Sequence, residues 1–355
     1  MRPAFPTTRN SIAFGILLLF LLTLPLTLYS IGLPSRYAVY RGVAQQAGPF
    51  DFLRRVVFEQ TEPLDVVVLG HSLLKLSMEY EQIEQGLQRE FGRPARTLVA
   101  GLNWEGVDMQ YFLLRDLLEH RKVRMLIVQM PTLAQRSRRP HAQTFRVFRW
   151  GDFPGALDGL GVRDEAGLYA ACVLGAPRHL LTLLRPNLID PSMGALRPTE
   201  ERERFGYFGS PFVAVNTRPP EFTAESLIYS PERVGPFDFS GAPLNSYQLH
   251  FARKIAELAR QHHTQLVVMH VPLASEYGQS RIVERGNWRE LLGQDVEVIG
   301  APSASLFPGM DEDRVHLYYE DEHMNFNGMR YFTRVMTPAL VRIYRDRVLP
   351  REAAQ

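Results

Sequence analysis

The apolar positions of this 355-residue chain fall into three regimes. From Ile12 to Leu33 the residues are almost wholly apolar, and no charged side chain lies between Arg9 and Arg36. Residues 34–62 are mixed and have no clear period. From Pro63 onward, short apolar runs alternate with helical spacing. Val66–Leu69, led in by Leu64-Asp65 and closed by Gly70, predicts a strand buried on both faces. Leu76, Tyr80, Ile83, Leu87 and Phe91 then follow at helical intervals after Ser72. Thr97–Ala100 predicts a second strand, and Gly101-Leu102-Asn103-Trp104-Glu105-Gly106 a loop into a helix carrying Tyr111, Leu114, Leu117 and Leu118. Met125–Met130 is the third strand, closed by Pro131. Strand alternating with helix argues for an α/β fold of three layers, a parallel sheet with helices on both faces.

Regularity fails from about residue 134 to 243, a stretch rich in Arg, Pro, Gly and aromatics, with one expected helix near Gly167–Leu184 interrupted at Pro177. We read it as a long insertion forming a cap or rim beside a site. Order resumes with a helix at Tyr247–Gln261, a strand at Gln265–Val271 and a short strand at Val296–Ile299. A closing helix is expected over Tyr331–Tyr344, broken at Pro338.

The first apolar run matches the roughly 20 residues that span a hydrocarbon core. It is expected to be an uncleaved transmembrane anchor over residues 12–33, behind a cytoplasmic tail at 1–11 and ahead of a juxtamembrane linker at 34–62. The alternative is a cleaved signal peptide, with Ile12–Leu24 as its apolar region and Ser30-Ile31-Gly32 as its cleavage site. Either puts the body of the protein, residues 63–355, across the membrane.

Composition narrows the chemistry mainly by exclusion. A net charge of +2, with nearly all basic residues arginine and none in a run interleaved with aromatics, gives no reason to expect nucleic acid. The single cysteine, Cys172, can form no internal disulfide and no cysteine-rich metal site, and it reads as a small buried apolar residue. No metal-ligand spacing of histidines occurs, so no metal is expected, and no cofactor is required.

Two distant segments can carry chemistry. Gly70-His71-Ser72 delivers a serine at the carboxyl end of the first strand, where sites in open parallel sheets lie. Ser72 alone reads equally well as a helix N-cap. Near the C-terminus, Glu320-Asp321-Glu322-His323-Met324-Asn325 offers a histidine and its carboxylate. In a helical turn Glu320 shares a face with His323; in extended backbone Asp321 does. Either carboxylate would fix the imidazole tautomer and leave the other nitrogen to take a proton from serine. Asn325 and Gly328 read as the turn into the last helix. Gly101, Asn103 and Gly106 follow the second strand at the same edge and are candidate oxyanion donors, Gly106 first because a helix begins directly after it. Their default reading is a plain turn.

On these residues the chain resembles the SGNH (GDSL-like) hydrolase superfamily, which has a flavodoxin-like three-layer fold. Within it the chain is similar to the membrane-anchored extracytoplasmic branch that includes the teichoic-acid D-alanine transfer protein and the alginate O-acetyltransferases. Gly70-His71-Ser72 stands for the serine block, Gly101–Gly106 for the glycine block, and Glu320 to Gly328 for the final block. His71 occupies a place where the family has Asp or Ser, and Glu320 one where it has Asp. The family's asparagine after the third strand has no counterpart in Gln129-Met130-Pro131. The resemblance implies a serine O-acyltransferase or esterase acting on a cell-envelope polysaccharide. Ser72 would be the nucleophile and His323 the base, with Glu320 or Asp321 as the orienting acid. It also implies a single-pass location in a bacterial cytoplasmic membrane, with the body extracytoplasmic, and a multipass membrane acyltransferase as partner. The other class is a catalytically inactive scaffold or glycan-binding protein of an envelope assembly. A lipid or peptidoglycan esterase on the same triad is a third reading.

Overall fold

Val66 and Val68 point to one face of their strand and Val67 and Leu69 to the other, and all four are buried, because helices cover both sides of the sheet they join. The structure, a computed structural model, describes residues 7–31, 35–40, 50–102, 106–129, 140–141, 143–148, 153–184, 237–307, 317–318 and 321–353. Ahead of the sheet lie α1 (Thr8–Ser30), α2 (Arg36–Val39) and α3 (Phe50–Phe58). The first half of the fold is β1 (Leu64–His71), α4 (Ser72–Lys75), α5 (Tyr80–Phe91), β2 (Thr97–Leu102), α6 (Val107–His120) and β3 (Val123–Gln129). The middle of the chain contributes α7 (Thr144–Val147), α8 (Phe153–Leu157), α9 (Val162–Leu184) and the short strand β4 (Phe237–Asp238). Then come α10 (Ser246–Gln261), β5 (Gln265–Met269), β6 (Ile282–Val283), α11 (Trp288–Leu292), β7 (Glu297–Ile299), α12 (Ser303–Leu306) and α13 (Phe326–Ile343).

The main sheet has five strands in the order β2-β1-β3-β5-β7, and every neighbouring pair is parallel. The chain reverses its direction of winding at β1, so the carboxyl ends of β1 and β3 flank the switch point. Gly70 pairs with Gly101 and His71 with Leu102 on one side, while Leu69 pairs with Val128 on the other. One face is packed by α3, α6 and α10 through Leu53, Phe112, Leu114, Phe251 and Ile255. The other is packed by α5 and α13 through Ile83, Leu87, Phe332, Met336 and Leu340.

Several boundaries differ from the sequence expectation, each for a local reason. The helical run expected directly after Ser72 is broken in two. Ser77 Oγ turns back to Leu73 O at 2.6 Å, and the Glu79 amide donates to Thr333 Oγ1 at 2.8 Å rather than continuing a helix. α13 runs unbroken through Pro338 and ends in a π-helical turn, Tyr344–Val348; it starts at Phe326 because Asn325 Oδ1 caps the Gly328 amide at 3.1 Å. α9 likewise passes through Pro177 without interruption. Much of the expected insertion, residues 185–236, lies outside the described residues.

The segment 34–62 was expected as a linker, and its described residues are instead part of the body. Val39, Tyr40, Leu53, Val56 and Val57 are buried in the core. Arg36 forms an ion pair with the buried Asp116 of α6, which also accepts from Tyr40 Oη at 2.7 Å. The Arg121 guanidinium reaches back to Val56 O at 3.0 Å.

α1 is one 23-residue helix at the expected place, packed against α9. Its Ile12, Ile16, Leu19 and Phe20 side chains are more than half exposed. Among the described residues, no helix is long and apolar enough to cross a membrane. The transmembrane span expected over 12–33 is therefore not part of the described fold; α1 opens on the polar turn Thr8–Ser11 and contains Pro25.

Candidate functional site

β1 ends at His71, and the chain turns at once into the single-turn helix α4, so Ser72 stands at the carboxyl edge of the sheet. The His71 side chain caps that turn, with Nδ1 accepting from the Leu73 amide at 3.3 Å. Ser72 is therefore not the cap, and its hydroxyl is free for another partner. That partner is His323: Ser72 Oγ lies 2.7 Å from His323 Nε2. With Nε2 unprotonated, the hydroxyl donates to the ring, which is the arrangement a general base needs. Both residues are half-buried, so the pair is open to a reactant.

His323 is held by a folded-back segment. Tyr318 and Met324 form an antiparallel bridge, and the Asn325 amide donates to Leu317 O at 2.9 Å. Gly328 makes room for this fold, since a Cβ there would stand 2.0 Å from Leu317 O. Leu317, Tyr318 and Met324 belong to the same apolar cluster as Leu73 and Leu74 behind Ser72.

The electrostatics around the pair are those of a partly desolvated pocket. Burial, aided by the nearby His323, pushes the His71 imidazole down to about 3, so it is neutral and cannot compete as a cation. Burial likewise brings the Lys75 ammonium, one turn after Ser72, down to about 8.

The remaining expected residues divide. Asp321 is exposed, and both its carboxylate oxygens engage Ser275: Oδ1 accepts from the amide at 2.7 Å and Oδ2 from Oγ at 3.0 Å. Glu320 and Asn103 lie outside the described residues. Gly101 sits inside β2, its Cα covered by the aliphatic stem of Lys75; a Cβ there would be 2.2 Å from Lys75 Cδ. Gly106 caps α6, but a Cβ on it would stand 2.5 Å from His141 Cβ. Both glycines are thus required by close packing of Lys75 and His141, rather than by the open approach to a substrate that the sequence reading expected. His141 is fixed there because its amide donates to the buried Asp108 at 3.0 Å, a carboxylate that also accepts from Thr144 and Tyr247.

One residue at the edge, Gln129, figures in the sequence reading only as failing to match the family's asparagine, and the structure gives it a place at the same sheet edge as Ser72. Gln129 ends β3 beside Gly70, with Oε1 accepting from the Leu74 amide at 3.3 Å. Its Nε2 is buried and has no hydrogen-bond partner among the described residues. The available signal was a polar side chain terminating an otherwise apolar strand. Cys172 is buried, and burial, with Asp108 nearby, raises its thiol well above the ordinary range, in keeping with an apolar role. Among the described residues, no cluster of His, Cys, Asp and Glu could hold a metal ion.

Comparison with known protein families and with characterised proteins gives no match for this chain.

Proposed function

We propose that this chain is an SGNH-type serine O-acyltransferase or esterase that acts on a cell-envelope polysaccharide. The observation that supports the reading is the 2.7 Å contact between Ser72 Oγ and His323 Nε2 at the carboxyl edge of a parallel sheet. In this reading Ser72 attacks the carbonyl of an acyl ester as His323 takes its proton. The tetrahedral intermediate collapses as His323 returns that proton to the leaving alkoxide, giving an acyl-serine. A sugar hydroxyl, or water, then repeats the sequence to release the acyl group. Glu320 or Asp321 orients His323. The Ser72 amide, the Asn103 side chain and Gln129 Nε2 are the candidate oxyanion donors, each worth about 3 kcal/mol of barrier where it acts. A multipass membrane acyltransferase would supply the acyl group.

Extracytoplasmic location at a bacterial cytoplasmic membrane belongs to the same proposal and follows from the resemblance; α1 supports only contact with an apolar surface. Its exposed Ile12, Ile16, Leu19 and Phe20 would each gain by leaving water, at about 25 cal/mol per Å² of apolar surface.

A fluorophosphonate probe tests the chemistry directly. The full chain should label, Ser72→Ala should not, and His323→Ala should label at a small fraction of the rate. A folded protein that never labels would sink the enzyme reading. It would favour the inactive-scaffold alternative, which the packing of Lys75 and His141 over both glycines also favours. Acyl donor supplied with and without acceptor glycan then separates transfer from hydrolysis.

A further inference from the structure

We propose that His270 is a positioning residue for the Ser72–His323 pair, acting as a doubly donating clamp on the turn that anchors the segment leading into His323. His270 directly follows β5, so it stands at the same sheet edge as Ser72. Its Nδ1 lies 3.0 Å from Glu284 Oε1 and its Nε2 2.9 Å from Glu276 Oε2. The two arms differ in kind. Glu284 is buried, and its other oxygen accepts from the indole of the buried Trp288 at 3.3 Å, which ties it to α11. Glu276 belongs to a single 3-10 turn, Ala274–Glu276.

That turn grips the chain ahead of His323. The Ala274 amide donates to Asp321 O at 2.8 Å, and Ser275 holds both carboxylate oxygens of Asp321. Tyr318 Oη adds a bond to Pro272 O at 2.9 Å. Asp321 is two residues before His323, so a path of alternating hydrogen bonds and main chain runs from His270 through Glu276, Ser275 and Asp321 to His323.

The clamp depends on the charge of the imidazole. A neutral ring can donate from only one nitrogen, whereas the imidazolium donates from both. The charged groups facing it are Glu276 and Glu284; from β7 it meets Ile299 and Gly300, and from β6 Ile282 stands behind Gly300. Burial by itself would lower its pKa, but the bonds and charges of the two glutamates prevail and hold it at about 9. Losing the proton leaves one carboxylate facing a lone pair. Glu284 keeps its indole partner, so the Glu276 arm, and with it the turn, is the part released.

Probe labelling rests on the proposed chemistry; the titration of the histidine rings does not. In full-length protein with ¹⁵N-histidine, assigned with His270→Gln and His323→Gln, the His270 ring should titrate near pH 9. The His323 ring resonances should shift with the same midpoint, and that step should vanish in His270→Gln and move to lower pH in Glu276→Gln. Probe labelling of Ser72 should fall through the same midpoint in the wild type. In His270→Gln it should be about tenfold slower and flat over that range. If His270 titrates while His323 stays unmoved, or His270→Gln labels with the wild-type rate and profile, the inference is overturned. If the coupled step is present in a protein that never labels, the clamp stands and the acyl-transfer reading falls. Should His270→Gln fail to fold, Glu276→Gln carries both readouts.

Discussion

Removing Asp321 should cost little, and the size of the loss identifies the acid that orients His323. Both oxygens of Asp321 are engaged by Ser275, one by the amide at 2.7 Å and one by the hydroxyl at 3.0 Å, on an exposed part of the chain. Two such bonds are worth about 0.5–1.5 kcal/mol each, toward the lower end where water can replace the partner. If the whole loss reached the reacting geometry, about 1–2 kcal/mol would appear as roughly a five- to thirtyfold slower acylation. Loss of an orienting triad carboxylate is a different scale, about 10⁴-fold, because the imidazole then takes the wrong tautomer. The assay is the second-order rate of fluorophosphonate labelling at Ser72, measured for Asp321→Ala, Ser275→Ala and the double variant. Because the two residues share the same bonds, the double variant should be no slower than the worse single one. Glu320→Gln should show the large loss. An Asp321→Ala enzyme slowed by about a thousandfold or more would refute this division of roles and make Asp321 the orienting acid.

Gln129→Leu should keep the fold and slow acylation by about a hundredfold if the buried amide donates to the oxyanion, whereas an unchanged rate would assign Gln129 to packing alone. Stability should decline on both sides of neutrality, as followed by denaturant unfolding across pH. His71 is neutral in the fold but charges in the unfolded chain, so its contribution is lost as pH falls from about 6.5 toward about 3. His270 runs the other way: its folded value is raised, so its contribution is complete below about 6.5 and disappears as pH rises through about 9, at most about 3 kcal/mol. A His270→Gln protein whose alkaline limb matches the wild type would contradict that assignment. If the proposed membrane location holds, the full chain should fractionate with membranes and a chain lacking residues 1–33 should not; co-fractionation of the truncated chain would count against α1 as the point of attachment.

The parts of the fold that could be read from the sequence are those fixed by one-dimensional periodicity. Val66–Leu69 and Met125–Val128 are apolar on both faces, which only a covered parallel strand satisfies, and they became the two central strands. Ser72 was legible for the same reason, since a strand that ends in glycine must deliver the next residues to the rim. The misses are positions where a tertiary bond overrules the local pattern. Nothing near Leu76 announces that Thr333, from the other end of the chain, will take the Glu79 amide and split the helix. Nothing in residues 34–62 announces Asp116 as the partner of Arg36 and Tyr40 that draws this segment into the core. Gly101 and Gly106 read by default as a plain turn, and otherwise as oxyanion donors; the sequence alone does not say that Lys75 and His141 pack against them.

Apolar packing, beside the polar contacts of the Ala274–Glu276 turn, joins the two halves of the site. Leu73 and Leu74 behind Ser72, and Leu317, Tyr318 and Met324 around His323, belong to one buried cluster that also includes Phe332 and Met336 of α13. The serine side enters this cluster from β1, the histidine side from the turn capped by Asn325. Their separation is therefore set by how α13 seats on the sheet. Thr333 Oγ1, which accepts from the Glu79 amide at 2.8 Å and donates to Met329 O of its own helix at 2.7 Å, pins the helix against the segment just after α4. A fully buried Phe332 truncated to alanine would remove about 3–5 kcal/mol of stability and leave a void in the cluster the two halves share. A hydrogen bond of 2.7 Å tolerates only a few tenths of an ångström of drift. Activity should then fail before the fold does, and a Phe332→Leu protein that keeps its sheet yet labels at the wild-type rate would show that the pair is held by something other than this shared core.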